Sequence, residues 1–389
     1  MTAYDVGIVG LGAMGSMAAL ELARRGQRVI GFDRYRPPHA LGSSHGKSRI
    51  IREAYFEHPQ YVPFVQRAYR QWARLEQDSG RRLLEITGGL MLGPPDGALV
   101  AGARTSALAH ALEYQELSAA QVKRRFPVFA PAPDEVGLYE PRAGVLDPEA
   151  CVAAALDLAA AAGATLCYYE PVLEWRDGAS LTLVTARGAY QVGRLIVAAG
   201  AWMATGLPRA ALPLRVARQP LFWFAAAGDP ALVTPARMPI FIWEWAAQRY
   251  FYGFPDLGDG VKVATHHEGA PASGDGVRRE VSAEDLLPLR AVMAERTPML
   301  NGPLRSSAVC LYTNTPDGDF LIDRSPLDPR VILASPCSGH GFKFAPVVGE
   351  AVSDLVVEGR TRHDLSRFGA RRWSGGPGAG APKIPGRGA

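Results

Sequence analysis

The length, composition and charge of the chain restrict its class before any motif is considered. At 389 residues the chain is too long for one ordinary hydrophobic core, which predicts two domains. It is 48% hydrophobic and 21% charged, and it has no apolar run approaching the roughly 20 residues of a membrane span. The 42 basic residues are scattered and nearly balanced by 38 acidic ones, so the net charge of +4 argues against a nucleic-acid partner.

The clearest local motif lies at the N-terminus. An apolar strand over residues 6–9 precedes a glycine-rich turn, a helix follows, and a second strand over residues 29–32 ends at an acid. The glycines and the acid are Gly10, Gly12, Gly15 and Asp33. This order lets a pyrophosphate approach the helix N-terminus while the acid binds a ribose, so it predicts a dinucleotide site. The motif does not separate FAD from NAD, and an NAD-dependent hydroxyacid dehydrogenase stays an alternative.

The segment after Asp33 is polar and ends in two arginines, Arg49 and Arg52. A helix capped by Ser48 would place the two guanidinium groups on one face. Two such cations suit a carboxylate substrate or a flavin that becomes anionic on reduction. A solvated, charged helix start is the other interpretation.

The next part of the chain interleaves helices and strands. The apolar spacing of residues 61–75 predicts a buried helix face, and residues 86–95 predict a strand with turns. Ser118 and Gln121 form the pattern of a capping box.

A second helix signal follows at Pro148. The alanine-rich run from Pro148 to a stop at Gly163 predicts a helix in which Cys151 is packed. Residues 195–199 predict a buried strand, and Gly200 after it allows a close backbone approach.

Residues 214–265 carry many aromatic side chains on strand-like runs, which predicts a second, mostly antiparallel sheet. His266 and His267 follow, but no carboxylate or cysteine stands at ligand spacing, so no metal site is predicted. Because side chains alternate along a strand, only one of these histidines is expected to face a cavity. The chain returns to α/β character after about residue 305.

The cysteines are too few and too scattered for a disulfide framework. They show neither a CxxC pair nor zinc-type spacing, and the N-terminus is not signal-like, so cytoplasmic thiols are expected. Residue type alone favours a small buried hydrophobe at each position. The four are Cys151, Cys167, Cys310 and Cys337.

The motifs together resemble the monomeric sarcosine oxidase and N-methyltryptophan oxidase family of FAD-dependent amine oxidases. They include GLGAMG, SSHGKSRIIREAY, GVLDP, LIVAAGAW, CLYTNTPDGDFLID and SGHGFKFAPVVGE, in order from about residue 4 to 370. The resemblance implies an α/β fold: a Rossmann-type FAD-binding domain beside an α+β substrate domain whose mixed, largely antiparallel sheet covers the flavin. The expected boundaries are 1–87, 144–214 and 305–370 for the FAD-binding domain, 88–143 and 215–304 for the substrate domain, and 371–389 for a flexible tail.

The resemblance also assigns residues around the cofactor. Cys310 opens the family's C-x-Y-T-x-T-P-D motif, which implies an 8α-S-cysteinyl bond to FAD. Arg49 is expected against the flavin ring and Lys262 beside the oxygen site. An ammonium on an apolar strand such as that of Lys262 is costly unless something negative faces it, although a place on the solvent face is the alternative. The other implied FAD contacts are Gly10, Gly12, Gly15, Asp33, Ser44, Val172, Gly200, Gly339, Gly341 and Lys343.

The remaining implied residues surround the substrate. Arg52 and Lys343 are expected to bind its carboxylate, Tyr252 to line its pocket, and His266 to lie near its amine. The implied catalytic set is Arg49, Lys262, His266, Tyr312 and His340. The expected enzyme is a monomer that oxidises the C–N bond of a secondary amino acid, N-alkyl or cyclic, to an imine and reduces O2 to hydrogen peroxide.

Some residues depart from the family pattern. Lys47 stands where an acid is common, and Pro336-Cys337 replaces a Gly-Phe pair, which makes Cys337 a minor rival for flavin attachment. Trp243 and Trp245 are expected near the substrate, which favours a larger or cyclic secondary amino acid over sarcosine. The same residues also suit a biosynthetic cyclic imino acid oxidase of this family, or a flavoprotein that binds FAD without catalysing a reaction.

Overall fold

The computed structural model describes residues 3–205 and 212–373 of the chain. The strands are β1 (Ala3–Val9), β2 (Val29–Asp33), β3 (Arg49–Ile51), β4 (Leu84–Ile86), β5 (Gly89–Gly93), β6 (Gln115–Ser118), β7 (Val136–Glu140), β8 (Gly144–Leu146), β9 (Thr165–Tyr168), β10 (Glu174–Arg176), β11 (Leu181–Val184), β12 (Ala189–Val197), β13 (Arg215–Phe224), β14 (Ile240–Ala246), β15 (Arg249–Phe254), β16 (Val261–His266), β17 (Pro271–Ala272), β18 (Leu304–Asn314), β19 (Leu321–Arg324) and β20 (Val331–Ser335). The helices are α1 (Ala13–Arg24), α2 (Tyr61–Ser79), α3 (Ala98–Ala109), α4 (Ala119–Arg125), α5 (Pro148–Ala161), α6 (Ala283–Arg296) and α7 (Ala345–Val357). Within these residues no helix combines the length and the apolar character that crossing a bilayer requires.

The first sheet has eight strands and holds the glycine-rich turn. Its centre is β1, which pairs in parallel with β2 on one side and β12 on the other. β9 and β20 extend the parallel part, and β10, β11 and β19 add antiparallel edges. The apolar faces of α1, α5 and α7 pack together beside this sheet in the largest hydrophobic core. This strand–turn–helix–strand order confirms the predicted Rossmann-type unit.

The second sheet has nine strands and carries most of the aromatic residues. Its order is β17-β13-β16-β15-β14-β5-β7-β6, with β18 also paired to β13. All of these pairs are antiparallel except β5 with β14. The sheet is therefore mixed and largely antiparallel, as predicted. A third, three-stranded sheet joins β3, β8 and β4.

The strand that carries Cys310 is paired with the second sheet. The sequence pattern assigns the strand that carries Cys310 to the FAD-binding domain, which is expected to resume at residue 305. In the structure β18 pairs with β13 along its length, from Asn314 opposite Arg215 to Leu304 opposite Phe224. Residues 304–314 therefore belong to the second sheet, because a pairing partner some 90 residues away in sequence decides the assignment.

Several helix ends agree with the sequence signals. The capping box of Ser118 and Gln121 begins α4, and α5 has Pro148 in its first turn and is followed by Gly163 at φ 94°. The buried face predicted over residues 61–75 lies on α2. The flexible-tail prediction for 374–389 lies outside the described residues, while 371–373 close the described chain as part of a short 3-10 helix.

The helix expected to begin at Ser48 is wrong. Arg49–Ile51 forms strand β3, which pairs antiparallel with β8. The two β-branched residues, Ile50 and Ile51, suit a strand, and the partner strand supplies the hydrogen bonds that a helix would have made internally.

Candidate active site

A cavity of about 510 Å³ is lined by residues of both large sheets. Its glycine region is formed by Gly10, Gly12, Asp33 and Ser44, and its cation region by Arg49, Arg52 and Lys343. Predicted residues that also line it are Val172, Gly200, Tyr252, His266, Cys310, Tyr312, Gly339, His340 and Gly341. The fold thus brings together most of the residues that the sequence singled out, and among the predicted cofactor, catalytic and substrate-binding residues Gly15 and Lys262 lie outside the lining.

The glycine region exposes the N-terminus of α1. Gly12 is the N-cap and provides no side-chain hydrogen bond, and the first turn of α1 has no acidic residue. The Ala13 amide donates to Ser44 Oγ at 3.1 Å. The other amides of this turn are therefore suited to an anion.

Two of the glycines are required by close packing. Gly10 has φ 91°, and a Cβ there would lie 2.5 Å from the Ala198 carbonyl oxygen. A Cβ at Gly15 would lie 1.7 Å from the Gly10 carbonyl oxygen. Gly15 therefore does not line the cavity but lets α1 pack against the turn.

Asp33 is fixed at the mouth of the glycine region. Its Oδ2 accepts from the Leu11 amide and its Oδ1 from the Tyr35 amide, both at 2.8 Å. The carboxylate is thereby oriented at the end of β2, where the sequence motif requires the ribose ligand.

Cys310 lies in the middle of β18 beside Arg49. Its Sγ is 3.4 Å from Arg49 Nη2 and 3.7 Å from the Ser43 carbonyl oxygen. Arg49 also donates to the Ser48 and Ser43 carbonyl oxygens. Cys337 lines the same cavity, and burial raises the pKa of its thiol to about 11. The thiol of Cys310 thus has a guanidinium neighbour within contact distance.

Lys262 is not among the residues that line the cavity, although it lies on the same face of β16 as His266. Its ammonium donates to the Gly46 carbonyl oxygen at 2.7 Å, to the Ser48 carbonyl oxygen at 3.1 Å and to Ser48 Oγ at 3.0 Å. Burial and the nearby charge of Arg49 lower its pKa well below the ordinary value. The sequence predicts a negatively charged group opposite this lysine. In the structure, its hydrogen-bond partners are instead three uncharged oxygen atoms.

The guanidinium of Arg52 is buried and paired. It donates to Glu57 Oε2 and to the Ala54 carbonyl oxygen, both at 2.7 Å, and it lies 4.3 Å from the ring centre of Tyr55 and 4.8 Å from that of Phe56. Burial alone would raise the pKa of Glu57, but Arg52 lowers it below its ordinary value. A carboxylate ligand at Arg52 would therefore have to replace or join Glu57.

Lys343 is held by a hydrogen-bonded network. Its ammonium donates to the His340 carbonyl oxygen at 2.8 Å and to Tyr55 Oη at 3.4 Å. His340 Nε2 lies 3.0 Å from the Gly318 carbonyl oxygen, so Nε2 carries the proton and Nδ1 accepts from Tyr55 Oη at 2.6 Å. Burial and Arg52 lower the pKa of Lys343 to about 7.

His266 faces the cavity as a neutral ring. Burial and the adjacent His267 lower its pKa well below the ordinary value. Its Nδ1 lies 3.2 Å from Tyr312 Oη, and Tyr252 packs edge-on against it with ring centres 6.0 Å apart. His266 lines the cavity and His267 does not, which agrees with the predicted alternation.

The two glycines of the SGHGF segment are required by close packing, Gly339 against the rings and Gly341 against the backbone of Pro336. A Cβ at Gly339, which has φ 77°, would lie 2.7 Å from the Tyr312 ring and 2.9 Å from that of His266. A Cβ at Gly341 would lie 1.5 Å from the Pro336 carbonyl oxygen. Both glycines line the cavity.

The prediction that Trp243 and Trp245 lie near the substrate is wrong. Trp243 packs in the core of the second sheet, stacked on Phe251, with its indole nitrogen 3.1 Å from Glu135 Oε1. Trp245 lies on the same side, and the residue of β14 that lines the cavity is Ile242. Side chains alternate along a strand, so both tryptophans share the face opposite to Ile242.

Sequence reasoning missed several lining residues. Glu57 could have been suspected, because a carboxylate five residues after Arg52 lies in the same polar segment. Trp202 and Asp275 also line the cavity, where Trp202 Nε1 donates to Asp275 at 2.9 Å, but they are far apart in sequence and leave no local signal. Among the described residues no group of three or more His, Cys, Asp and Glu is arranged to bind a metal.

The Rossmann-type sheet, the open helix N-terminus and the cavity with its buried cations define a dinucleotide-dependent enzyme. Comparison with known proteins identifies the cofactor class: the chain belongs to the family of FAD dependent oxidoreductases, whose model matches residues 5–355. The protein is therefore a flavoprotein, which confirms the FAD prediction, and the NAD-dependent alternative is wrong.

The chain is similar to named oxidases over nearly its whole length. It is 41% identical to the monomeric sarcosine oxidase of Streptomyces avermitilis over 96% of this chain and 99% of that protein. It is 33% identical to the N-methyl-L-tryptophan oxidase of Salmonella typhi over 95% and 99%. Its structure resembles that of NikD, described as an unusual amino acid oxidase essential for nikkomycin biosynthesis, with a TM-score of 0.83 and 25% identity over 95% of this chain and 98% of that one. The resemblance read from the motifs is confirmed.

Proposed function

We propose that the protein oxidises the C–N bond of a secondary amino acid to an imine and reduces O2 to hydrogen peroxide. The observation that carries the proposal is one cavity in which the thiol of Cys310 and Arg49 lie near two buried cations, Arg52 and Lys343. The names of the two curated relatives, a sarcosine oxidase and an N-methyl-L-tryptophan oxidase, support an N-alkyl amino acid as the substrate class.

The residues of the glycine region fit FAD. The uncapped first turn of α1 suits a pyrophosphate, and Asp33 is oriented for a ribose. The further proposed FAD contacts are Gly10, Gly12, Ser44, Val172, Gly200, Gly339 and Gly341, with Gly15 acting through packing. When bound, FAD supplies the two-electron redox chemistry.

We infer a covalent bond between Cys310 and the 8α position of the flavin. The thiol lines the cavity, with its Sγ 3.4 Å from Arg49 Nη2. Cys337 is the weaker candidate because burial raises the pKa of its thiol.

The cation region binds the substrate carboxylate. Lys343 is already oriented by Tyr55 and His340, and a carboxylate would favour its charged form in this desolvated setting. On substrate binding, Arg52 either releases Glu57 and pairs with the substrate carboxylate or pairs with both carboxylates. This pairing spares the protein an unpaired buried charge before substrate binds.

His266 and Tyr312 line the part of the cavity beside the cation region, and Tyr252 packs against His266. A neutral His266 adds no positive charge near a substrate amine, so it does not oppose binding and can accept a proton. Lys262 and Arg49 both donate to the Ser48 carbonyl oxygen, so the two side chains lie together beside residues 46–48, and this placement supports the proposed role of Lys262 in the oxygen reaction.

The identity of the amino acid is the finer proposal. We propose a larger or cyclic secondary amino acid, supported by the replacement of Gly-Phe by Pro336-Cys337 at the cavity wall. The two tryptophans do not support it, since they face the core. A monomeric state, which the name of the sarcosine oxidase relative supports, stays a prediction. A cytoplasmic location stays a prediction as well.

The cofactor bond is tested with the purified holoprotein. Acid denaturation should leave yellow flavin on the polypeptide of the wild type and of Cys337→Ser, and should release it from Cys310→Ser. Retention of flavin by Cys310→Ser would overturn the assignment. The activity is tested by peroxide release with sarcosine, N-methyltryptophan, pipecolate and proline: no release with any of them would sink the proposed function, and a clear preference for sarcosine would sink the larger substrate.

A further inference from the structure

The loop between the glycine region and β3 contains an unusual tight turn. We name Gly46, Lys47 and Ser48 turn 46–48. The Ser48 amide donates to the Gly46 carbonyl oxygen at 2.8 Å, and Gly46 and Lys47 have φ 99° and 62°. A three-residue turn with positive φ at a lysine is uncommon and strained, so it persists only where other contacts hold it.

One of these contacts comes from Glu149 in the first turn of α5. Its carboxylate accepts from the Gly46 amide at 2.7 Å and from the Lys47 amide at 3.1 Å. Two successive backbone amides that converge on one carboxylate fix the direction of the chain through the turn.

The opposing contact comes from Lys262. Its ammonium donates hydrogen bonds to the carbonyl oxygens of Gly46 and Ser48 and to Ser48 Oγ, at 2.7 to 3.1 Å. Turn 46–48 is therefore bound by a carboxylate through its amides and by an ammonium through its carbonyl groups. Burial and then Arg49 lower the pKa of Lys262, and Cys310 and then Glu149, across the turn, oppose that lowering.

The turn also positions Arg49. The Ser48 carbonyl oxygen accepts from Arg49 Nη1 at 2.8 Å as well as from Lys262, and Arg49 Nη2 reaches Cys310 Sγ. Both side chains thus donate to the Ser48 carbonyl oxygen, and Arg49 also donates to that of Ser43. Any shift of the turn would move both.

We propose that Glu149 is a positioning residue that holds turn 46–48 and thereby fixes the ammonium of Lys262 and the guanidinium of Arg49. It touches neither cation directly and acts through the backbone of the turn. The inference rests on the proposed function for its effect on the oxygen reaction, while its effect on the turn can be measured without any activity.

The test compares Glu149→Gln and Glu149→Ala with Asp157→Asn. Asp157 is an exposed acid on the same helix, paired with Arg81, so it controls for loss of charge on α5. Amide hydrogen exchange of the holoprotein, followed by mass spectrometry, reports on the peptide covering residues 44–50. Rapid mixing separates anaerobic reduction by substrate from reoxidation of the reduced enzyme by O2.

Exchange over residues 44–50 should rise about tenfold or more in Glu149→Ala and less in Glu149→Gln, which keeps one acceptor. Reoxidation should slow in both Glu149 variants, because a displaced turn moves Lys262 and Arg49 from their places, with exchange in α5 unchanged and Asp157→Asn like the wild type. Unchanged exchange over 44–50, or faster exchange with an unchanged reoxidation rate, would overturn the positioning role. So would a rise confined to α5, which would indicate only helix destabilisation.

Failure of the proposed function gives a different result. If O2 does not reoxidise the wild-type enzyme, the oxidase proposal fails. The positioning role is then decided by exchange together with the fraction of flavin that attaches to Cys310 when apoprotein is reconstituted, which should fall in both Glu149 variants and not in Asp157→Asn.

Discussion

Replacing Glu140 by glutamine should change how the stability of the protein depends on pH. Glu140 ends β7 and is 1% exposed. Its two carboxylate oxygens accept from the Glu53 amide at 2.6 Å and the Ala54 amide at 2.9 Å, directly after Arg52 in the chain. The side chain therefore holds the backbone segment that presents Arg52.

The size of the effect follows from the ionisation of this carboxyl group. Burial raises the pKa of Glu140 from 4.5 to about 7, against the lowering effect of the two amide hydrogen bonds. The folded protein keeps this proton to higher pH than the unfolded chain does, so raising the pH through this window lowers the free energy of unfolding. The total loss is about 3 kcal/mol.

Glutamine cannot ionise, so the variant avoids this loss. It also leaves one amide with a poorer partner, which costs about 1 to 3 kcal/mol at every pH. Glu140→Gln should therefore be less stable than the wild type at pH 5 and gain about 3 kcal/mol relative to it by pH 8.

Urea unfolding of both proteins at pH 5, 6, 7 and 8 measures the difference. Glu174→Gln, at a half-exposed position on β10, is the control and should shift the profile by less than about 0.5 kcal/mol. Parallel pH profiles for wild type and Glu140→Gln would refute the reasoning, because they would mean that Glu140 ionises alike in the folded and unfolded chains.

Three further predictions concern the cavity and its surroundings. Burial lowers the pKa of Lys343 to about 7, so the affinity for a simple carboxylate such as propionate should fall about tenfold per pH unit above that value, and a competition titration should show this dependence lost in Lys343→Met. Trp243→Phe should lower the melting temperature yet leave KM within about twofold, since the ring lies in the core. Calorimetry measures the first and steady-state kinetics the second. A large change in KM would show that Trp243 does contact the substrate. Gly15→Ala should yield protein with less than about a tenth of the wild-type flavin absorbance, because its Cβ meets the Gly10 carbonyl oxygen, and full flavin content would contradict that packing.

Local chemistry made part of this fold predictable. The capping box at Ser118 and the helix between Pro148 and Gly163 depend on residues within a few positions of one another, and both are found where the sequence pattern predicts them. The glycine-rich turn is equally local, because strand, turn and helix follow directly in the chain.

The predictions that were wrong concern features set by residues distant in sequence. Arg49–Ile51 is a strand because residues 144–146 pair with it, and no signal near Ser48 shows that pairing. The spacing of Trp243 and Trp245 shows that they share a face of β14, but only the packed sheets decide which face meets the cavity. The ion pair between Arg52 and Glu57 likewise depends on how the chain bends after β3.

The place of Cys310 on β18 has a mechanical consequence. Its strand belongs to the second sheet, whereas the glycine region belongs to the first. A cofactor bound along the cavity and attached at Cys310, as we propose, would therefore connect two sheets that the polypeptide joins through its crossing segments. The proposed bond would be covalent at Cys310 alone, so it would connect the two sheets only in the folded protein, where the glycine region also holds the cofactor, and losing it would remove that connection even where every protein contact remains.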